Sequence, residues 1–270
     1  MVQQELPWNN QKMETYLLIG CLGIFTGFIS GLLGIGGGII MAPLLLYVPP
    51  LFGLEPFSMR VVAGLTIVQG FLGCLSGGLT HRQFSFVSDK LSAYMGASIF
   101  IAALTGGAAA RFVSNEFLLF IFACLAFVAA LLMFAPVKND TEYPAAADID
   151  FCKTRAVTAA TGVGLLGGLV GQGGSFILIP LMTAYVKIPT RIAIGSNLAI
   201  VFLSSLAAFI GKAITGQIEW ILAIPIVLTV LPAASAGGHV SRRVPVQWLR
   251  KLLAVLIGLA AARMWASLLI

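Results

Sequence analysis

The sequence predicts an all-α membrane protein: an internally duplicated, inverted helical bundle with two broken or re-entrant helices and about eight apolar segments. Three observations lead to this prediction. The chain is 59% hydrophobic and only 10% charged, whereas roughly a quarter of the residues in a soluble domain are charged. Stretches long enough to cross a bilayer core of about 30 Å recur along almost the whole chain. A glycine-rich motif interrupts two of these stretches, one in each half of the chain.

Seven uncharged stretches are predicted as membrane segments. In chain order they are residues 15–54, 61–81, 91–110, 117–137, 156–186, 192–211 and 220–241. The eighth, 246–270, contains Arg250, Lys251 and Arg263. Lys251 and Arg263 would lie about 18 Å apart along a helix, so their side chains would reach opposite interfaces. This segment is therefore counted as a span.

A polar linker, residues 138–155, divides the chain into a first transmembrane repeat, 1–137, and a second, 156–270. The motif Gly31–Leu44 reappears 137 positions later as Gly168–Leu181, with glycine and proline at matching places. Residues 60–66 align with 191–197 at an offset of 131. The shared order of motifs indicates duplication of a unit of roughly 130 residues.

Length predicts that both glycine-rich segments are broken. As continuous helices, residues 16–48 and 156–186 would measure about 50 Å and about 46 Å, and each glycine costs about 1 kcal/mol relative to alanine within a helix. If each segment folds back to its own side, five Lys and Arg residues lie on one face and eleven on the other. That excess is typical of a cytoplasmic face. The two repeats then have opposite orientations, with both termini outside.

The breaks are the predicted substrate site, because a new helix begins there with free N–H groups and a dipole that favours anions. Nearby polar side chains would donate further hydrogen bonds to an oxyanion. The candidate substrate-binding residues are Gly36, Gly37, Gly38, Gly173, Gly174, Ser175, Gln172, Thr66, Asn197, Ser196 and Gln69. Each polar side chain could instead satisfy backbone groups at a helix contact. Gly27, Gly31, Gly164 and Gly168 are interpreted as packing residues.

Other classes of function have less support in the sequence. No Asp or Glu lies deep within a predicted span, so proton relay through a buried acid is not supported. His81 and His239 are placed near span ends, at the interface. The four cysteines are scattered, so neither a metal site nor a cofactor is predicted. An enzyme is disfavoured because no catalytic cluster falls at membrane depth.

The net charge of +6 does not indicate nucleic-acid binding, because the basic residues lie at span ends and in short loops. The repeat-related bases, Arg60 with Arg191 and Arg111 with Arg242, are interpreted as interface anchors. The alternative is that they attract anions to an entrance. Membrane lipid is the expected surrounding partner. The sequence leaves open whether the protein forms a homo-oligomer.

With these motifs in place, the chain resembles the TauE/SafE-type sulfite exporter family, also called TSUP, over nearly its full length. The resemblance rests on Gly31–Gly38 with Pro43, the repeat of that motif through Pro180, the pair Gly195 and Ser196, and a short loop from Gly216 to Trp220. It implies a multi-pass inner-membrane protein that moves sulfite or organosulfonates such as sulfoacetate, often outward. The first repeat departs from the loop pattern at residues 82–86, and Ser175 stands where the first motif has Gly38.

The resulting functional prediction is a secondary transporter, an exporter of a small sulfur oxyanion or sulfonate that works by alternating access around the paired breaks. An anion channel and a non-transporting membrane assembly or sensor subunit are the alternatives. A bulky residue in place of Gly37 or Gly174 is predicted to abolish transport while leaving membrane insertion largely intact.

Overall fold

The computed structural model describes residues 8–109, 112–133, 146, 149–170, 175–214, 216 and 218–269, and these form an all-helical bundle. Ten α-helices lie in the described part of the chain. They are α1 Trp8–Leu33, α2 Gly38–Leu51, α3 Met59–Gln83, α4 Asp89–Ala109, α5 Asn115–Met133, α6 Lys153–Val170, α7 Ser175–Leu181, α8 Thr190–Ile214, α9 Trp220–Arg243 and α10 Val246–Leu269. A π-helical turn, Met182–Val186, extends α7. The all-α prediction is confirmed.

Helix α1 is broken from α2 as the sequence predicts, and the two form a hairpin. Close contacts pair Gly23 with Ile226, Gly27 with Val230, and Gly31 with Ala234, so α1 and α9 run in the same direction. Hydrogen bonds from Ser76 to Leu231 and between Thr80 and Ser235 show that α3 runs in this direction too. Since α1 and α3 are parallel, the intervening α2 returns to the face at which α1 begins.

The second glycine-rich segment reverses direction in the same way. Gly164 lies against Ile99 and Ala102, and Gly168 lies against Ala103, so α6 runs parallel to α4. Helix α8 runs antiparallel to α3, since Gly77 contacts Leu198 while Gly70 contacts Ser205. Helix α4 begins at the face where α3 ends, and both α6, which is parallel to α4, and α8, which is antiparallel to α3, begin at that same face. The chain between α6 and α8, which contains α7 and the π-helical turn, therefore leads back to the face at which α6 begins.

These directions define two faces of the bundle. The near face is the one at which α1, α3 and α9 begin, and the far face is the one at which α4, α6 and α8 begin. Lys12, Arg60 and Lys212 belong to helix ends at the near face, whereas the far face receives most of the basic residues, as the charge count predicts. By length and composition, four helical segments in the described residues are suited to a complete crossing: Lys12–Leu33, Val61–Gln83, Thr190–Ile214 and Trp220–Arg243. Shorter apolar helices accompany them.

Glycine contacts between helices match at the offsets of the predicted repeat. A Cβ on Gly31 would overlap the carbonyl oxygen of Ala234, and one on Gly168 would lie 2.5 Å from that of Ala103. Likewise, a Cβ on Gly237 would overlap the Phe28 carbonyl, and one on Gly106 would overlap that of Leu165. Backbones approach this closely only where one partner lacks a side chain. The duplication stays a prediction, and these matched contacts support it.

Candidate functional site

The break between α1 and α2 depends on glycines in left-handed backbone conformations. Gly34, Gly36 and Gly37 have φ angles of 70°, 66° and 76°, which cost an L-residue roughly 1–2 kcal/mol. Gly37 is the N-cap of α2, and its carbonyl accepts hydrogen bonds from the Ile40 and Met41 N–H groups at 3.1 and 3.0 Å. Gly38 is the first residue of α2. The local sequence therefore ends one helix and starts the next within four residues.

Side chains from two other helices donate hydrogen bonds to carbonyls that the break leaves free. His81 on α3 donates from Nε2 to the Gly31 carbonyl at 2.8 Å, since a carbonyl can only accept. Asn197 on α8 donates from Nδ2 to the Gly34 carbonyl. The placement of His81 at the interface was wrong: its side chain is 0% exposed, because it terminates α1 inside the bundle. His239 is exposed, and its position at the interface stays a prediction.

Gln69 on α3 lies directly against the break. Its side chain is 0% exposed, and neither its amide nitrogen nor its amide oxygen has a hydrogen-bond partner among the described residues. A Cβ on Gly37 would overlap the Gln69 nitrogen, so only glycine permits this approach. A buried polar atom without a partner costs roughly 1–3 kcal/mol. A side chain kept at that cost beside a helix start is a candidate for contact with a ligand.

Two more glycines of α3 bring hydroxyl groups to the same place. A Cβ on Gly73 would lie 2.8 Å from the Ser30 hydroxyl oxygen and 3.7 Å from the Gly36 carbonyl. A Cβ on Gly70 would lie 3.7 Å from the Ser205 hydroxyl on α8. We call the backbone of residues 34–37 together with Ser30, Gln69 and Ser205 the break cluster. Gln69 lies about 15 Å along α3, a helix about 37 Å long, so the cluster is near the middle of the bundle.

The remaining predicted site residues either form hydrogen bonds away from the break cluster, begin α7, or lie outside the described residues. The Thr66 hydroxyl donates to the Val62 and Ala63 carbonyls at 2.9 and 3.2 Å. The Ser196 hydroxyl accepts from the Ser88 N–H at 3.0 Å and so joins α8 to the loop between α3 and α4. Ser175 is the first residue of α7. Gln172, Gly173 and Gly174 lie outside the described residues, so convergence of the two breaks stays a prediction.

The sequence reasoning missed three serines. Ser30 and Ser204 are 0% exposed and their hydroxyls have no partner among the described residues, and Ser205 is 6% exposed. Ser204 follows Asn197 by two helical turns, on the same face of α8. Two features of the sequence point to these serines. Ser204 and Ser205 lie two helical turns after Asn197, and Ser30 lies one residue before the glycine motif.

Charge is absent from the break cluster itself. Arg191 is the one buried side chain with a permanent charge in the described part of the protein. Its guanidinium donates to the Ser241 and Val244 carbonyls, both at 3.0 Å, and lies 5.1 Å from the centre of the Phe86 ring. Arg191 is thus not the interface anchor that the sequence suggested. Its hydrogen bonds join the start of α8 to the end of α9 at the far face. No group of residues suited to holding a metal occurs in the described regions.

Four aromatic rings form a ladder toward the near face. Phe71 is stacked between Phe202 and Phe209, with ring centres 5.3 and 5.1 Å apart. Phe209 meets Trp220 edge to face at 6.1 Å. Since α8 runs toward the near face and α9 begins there, this aromatic ladder extends from the depth of the break cluster to the near face. Along the bundle, the polar contacts of Arg191 thus lie toward the far face and the aromatic ladder lies toward the near face.

Comparison with known proteins agrees with a membrane transporter. The family model described as "Sulfite exporter TauE/SafE" matches residues 19–264. The "Probable membrane transporter protein YunE" of Bacillus subtilis is 24% identical over 245 residues, which cover 83% of this chain and 86% of the relative. A "Probable membrane transporter protein" of Methanocaldococcus jannaschii is 24% identical over 262 residues, covering 92% and 96%. One of Haemophilus influenzae is 27% identical over 197 residues, covering 68% and 69%. No solved structure matches the chain.

Proposed function

The chain belongs to the sulfite exporter TauE/SafE family of membrane transporters, which are not enzymes, and from that premise we propose that it exports a small sulfur-containing anion by alternating access. The cargo is sulfite or an organosulfonate. It binds at the break cluster and, in a complete site, at the second glycine motif. The proposed location is the inner membrane, with the far face toward the cytoplasm because that face has the excess of basic residues.

One observation carries the proposal: an unpartnered, fully buried Gln69 amide faces a glycine helix break halfway through the bundle. Irregular backbone at membrane depth is tolerated where it is buried in protein or lines a cavity. Broken helices of this kind bind substrate and coupling ions in secondary transporters. The N–H groups at the start of α2 and the Gln69 amide are donors suited to oxyanion oxygens.

The proposed cycle has two closures, the Arg191 contacts at the far face and the aromatic ladder at the near face, and they open in turn. The residues of the break are buried, which is the burial that an occluded conformation would have. Opening at the far face separates the end of α9 from Arg191, and opening at the near face separates Phe71 from its stacked partners. In this cycle the hairpin of α1 and α2 presents the site to each face alternately.

Flux into liposomes containing the purified full-length protein tests the proposal. We expect saturable sulfite uptake that is stimulated by sulfite on the opposite side, because a carrier returns faster when loaded. Non-saturating flux without this stimulation would identify a channel instead. Failure to move sulfite, thiosulfate, sulfoacetate and taurine would refute the transport of sulfur anions. A thermal-shift screen with the same compounds measures binding separately, since a ligand of the folded state raises apparent stability.

A further inference from the structure

The break cluster contains no cationic side chain. Its donors are neutral: the first N–H groups of α2, the Gln69 amide, and the hydroxyls of Ser30 and Ser205. The buried guanidinium of Arg191 is directed instead to the backbone carbonyls of Ser241 and Val244 at the far face. No Asp, Glu or Lys side chain is buried among the residues that the structure describes.

A site without charged side chains discriminates strongly between anions of different charge. The cost of desolvating an ion rises with the square of its charge, so a dianion costs about four times as much to bury as a monoanion of the same size. Neutral donors and a helix dipole compensate about half an elementary charge at a helix start. The break cluster is therefore matched to a single negative charge.

The cluster also contains hydrogen-bond acceptors. A fully deprotonated anion has no hydrogen to donate to them, so they stay unpaired or repel the anion. The amide of Gln69 has one donor end and one acceptor end on the same rigid group, and both ends lack partners among the described residues. When the nitrogen donates to one oxygen of an anion, the oxygen of the amide lies close to a neighbouring ligand atom. That neighbour is attractive only if it supplies a hydrogen. Serine hydroxyls, in contrast, rotate and adapt to either role.

We infer that the cargo is bound as a protonated monoanion, of the type represented by hydrogensulfite, and that Gln69 is the residue that selects this form. The inference rests on the proposed function and narrows its substrate class. A dianion such as sulfite in its deprotonated form is rejected by its charge. A sulfonate has the right charge but lacks the hydrogen that the Gln69 carbonyl oxygen would accept, so it binds more weakly.

The second repeat does not reproduce this set of groups. At the offsets of the repeat, Ile200 corresponds to Gln69, and Gly167 corresponds to Ser30. Ile200 is 0% exposed and belongs to the apolar core. The selective contacts are therefore assigned to the first break.

Flux at fixed total sulfite, measured with equal pH on both sides, tests the inference in liposomes with full-length protein. The concentration of total sulfite is kept below saturation, and protein-free vesicles give the passive leak. When the pH is raised from one unit below to one unit above the pKa of hydrogensulfite, the fraction of total sulfite present as the monoanion decreases about tenfold. The initial rate should decrease about tenfold with it. Methanesulfonate keeps its single charge over this range, so its rate reports any effect of pH on the protein. We expect that rate to be constant and at least about tenfold below that of hydrogensulfite.

Gln69→Met is the selective variant, because methionine keeps the length and flexibility of the side chain without its amide. It should reduce the ratio of hydrogensulfite to methanesulfonate rates toward one, whereas Cys124→Ser, which is remote from the cluster on α5, should leave the ratio unchanged. Thermal unfolding in detergent checks that each variant folds.

A sulfite rate that is constant or increases with pH would overturn the inference while leaving the transporter proposal intact, as would methanesulfonate moving faster than hydrogensulfite. Absence of flux for every sulfur anion at both pH values would instead refute the proposed function. If Gln69→Met does not fold, the pH dependence of the wild-type rate still decides the question.

Discussion

Replacement of Gly37 by alanine tests the break cluster most directly, because the chain contains a matched control. Gly37 and Gly53 have nearly the same left-handed φ, 76° and 73°. A Cβ on Gly37 would overlap the Gln69 amide, whereas a Cβ on Gly53 has no neighbour within 4 Å. Both substitutions impose the backbone cost of about 1–2 kcal/mol. Only Gly37→Ala also displaces Gln69, at about 0.5–1.5 kcal/mol for a side chain forced from its rotamer.

The two variants should differ more in transport than in stability. We expect Gly53→Ala to move sulfite at close to the wild-type rate, and Gly37→Ala to lose at least about tenfold, because its methyl group lies where an anion must approach the backbone. Liposome flux and thermal unfolding of the same preparations measure both quantities. Adding Gln69→Ala to Gly37→Ala should recover part of the stability and none of the flux. Equal flux in Gly37→Ala and Gly53→Ala would refute the assignment of the site.

Three further substitutions separate packing from binding. Gly31→Ala places a methyl group against the Ala234 carbonyl and should reduce the yield of folded protein in detergent by gel filtration; wild-type yield would contradict the packing role. Arg191→Lys cannot reproduce both guanidinium hydrogen bonds. We therefore expect a lower unfolding temperature and a faster sulfite leak than in wild type. An unchanged leak would contradict the proposed role of Arg191 as a closure. Ser196→Ala removes one hydrogen bond to the Ser88 N–H and should cost about 1 kcal/mol in stability with sulfite KM unchanged; an increase in KM would place Ser196 at the substrate.

The break in the first repeat could be predicted from the sequence because length and charge constrain it independently. A helix through residues 16–48 is too long for one crossing, and the glycines mark where it ends. The fold-back of both segments then follows from the distribution of bases between the faces. The pairing of α1 with α9, and of α6 with α4, could not be predicted, since every membrane helix presents small and apolar residues that suit several partners.

The site was predicted in part, and the errors have a common physical origin. Glycines 36 and 37 and Gln69 do lie together. Position within an apolar run, however, does not tell whether a polar side chain faces lipid, water or another helix. His81 and Arg191 sit near helix ends and were assigned to the interface for that reason, yet both are buried because other helices end beside them. Asn197 was expected to bind substrate, and its amide binds the Gly34 carbonyl, a group that is free only because the break exists.

The two closures resist opening by different physics, and the difference bears on the direction of transport. Opening the far face breaks the bonds of Arg191 to two carbonyls, each worth about 1 kcal/mol net, and returns a buried guanidinium to water, which offsets much of that loss. Opening the near face separates the stacked rings of Phe71, Phe202 and Phe209, each pair contributing about 0.5–1.5 kcal/mol. It also exposes apolar area at about 25 cal/mol per Å² with no compensating hydration. Under the proposed alternating access, an empty carrier would therefore open at lower cost toward the far face, which the excess of basic residues assigns to the cytoplasm in the proposal. Loading from that side is what the proposed export requires, so the energetic difference between the two proposed closures is in the direction that export needs.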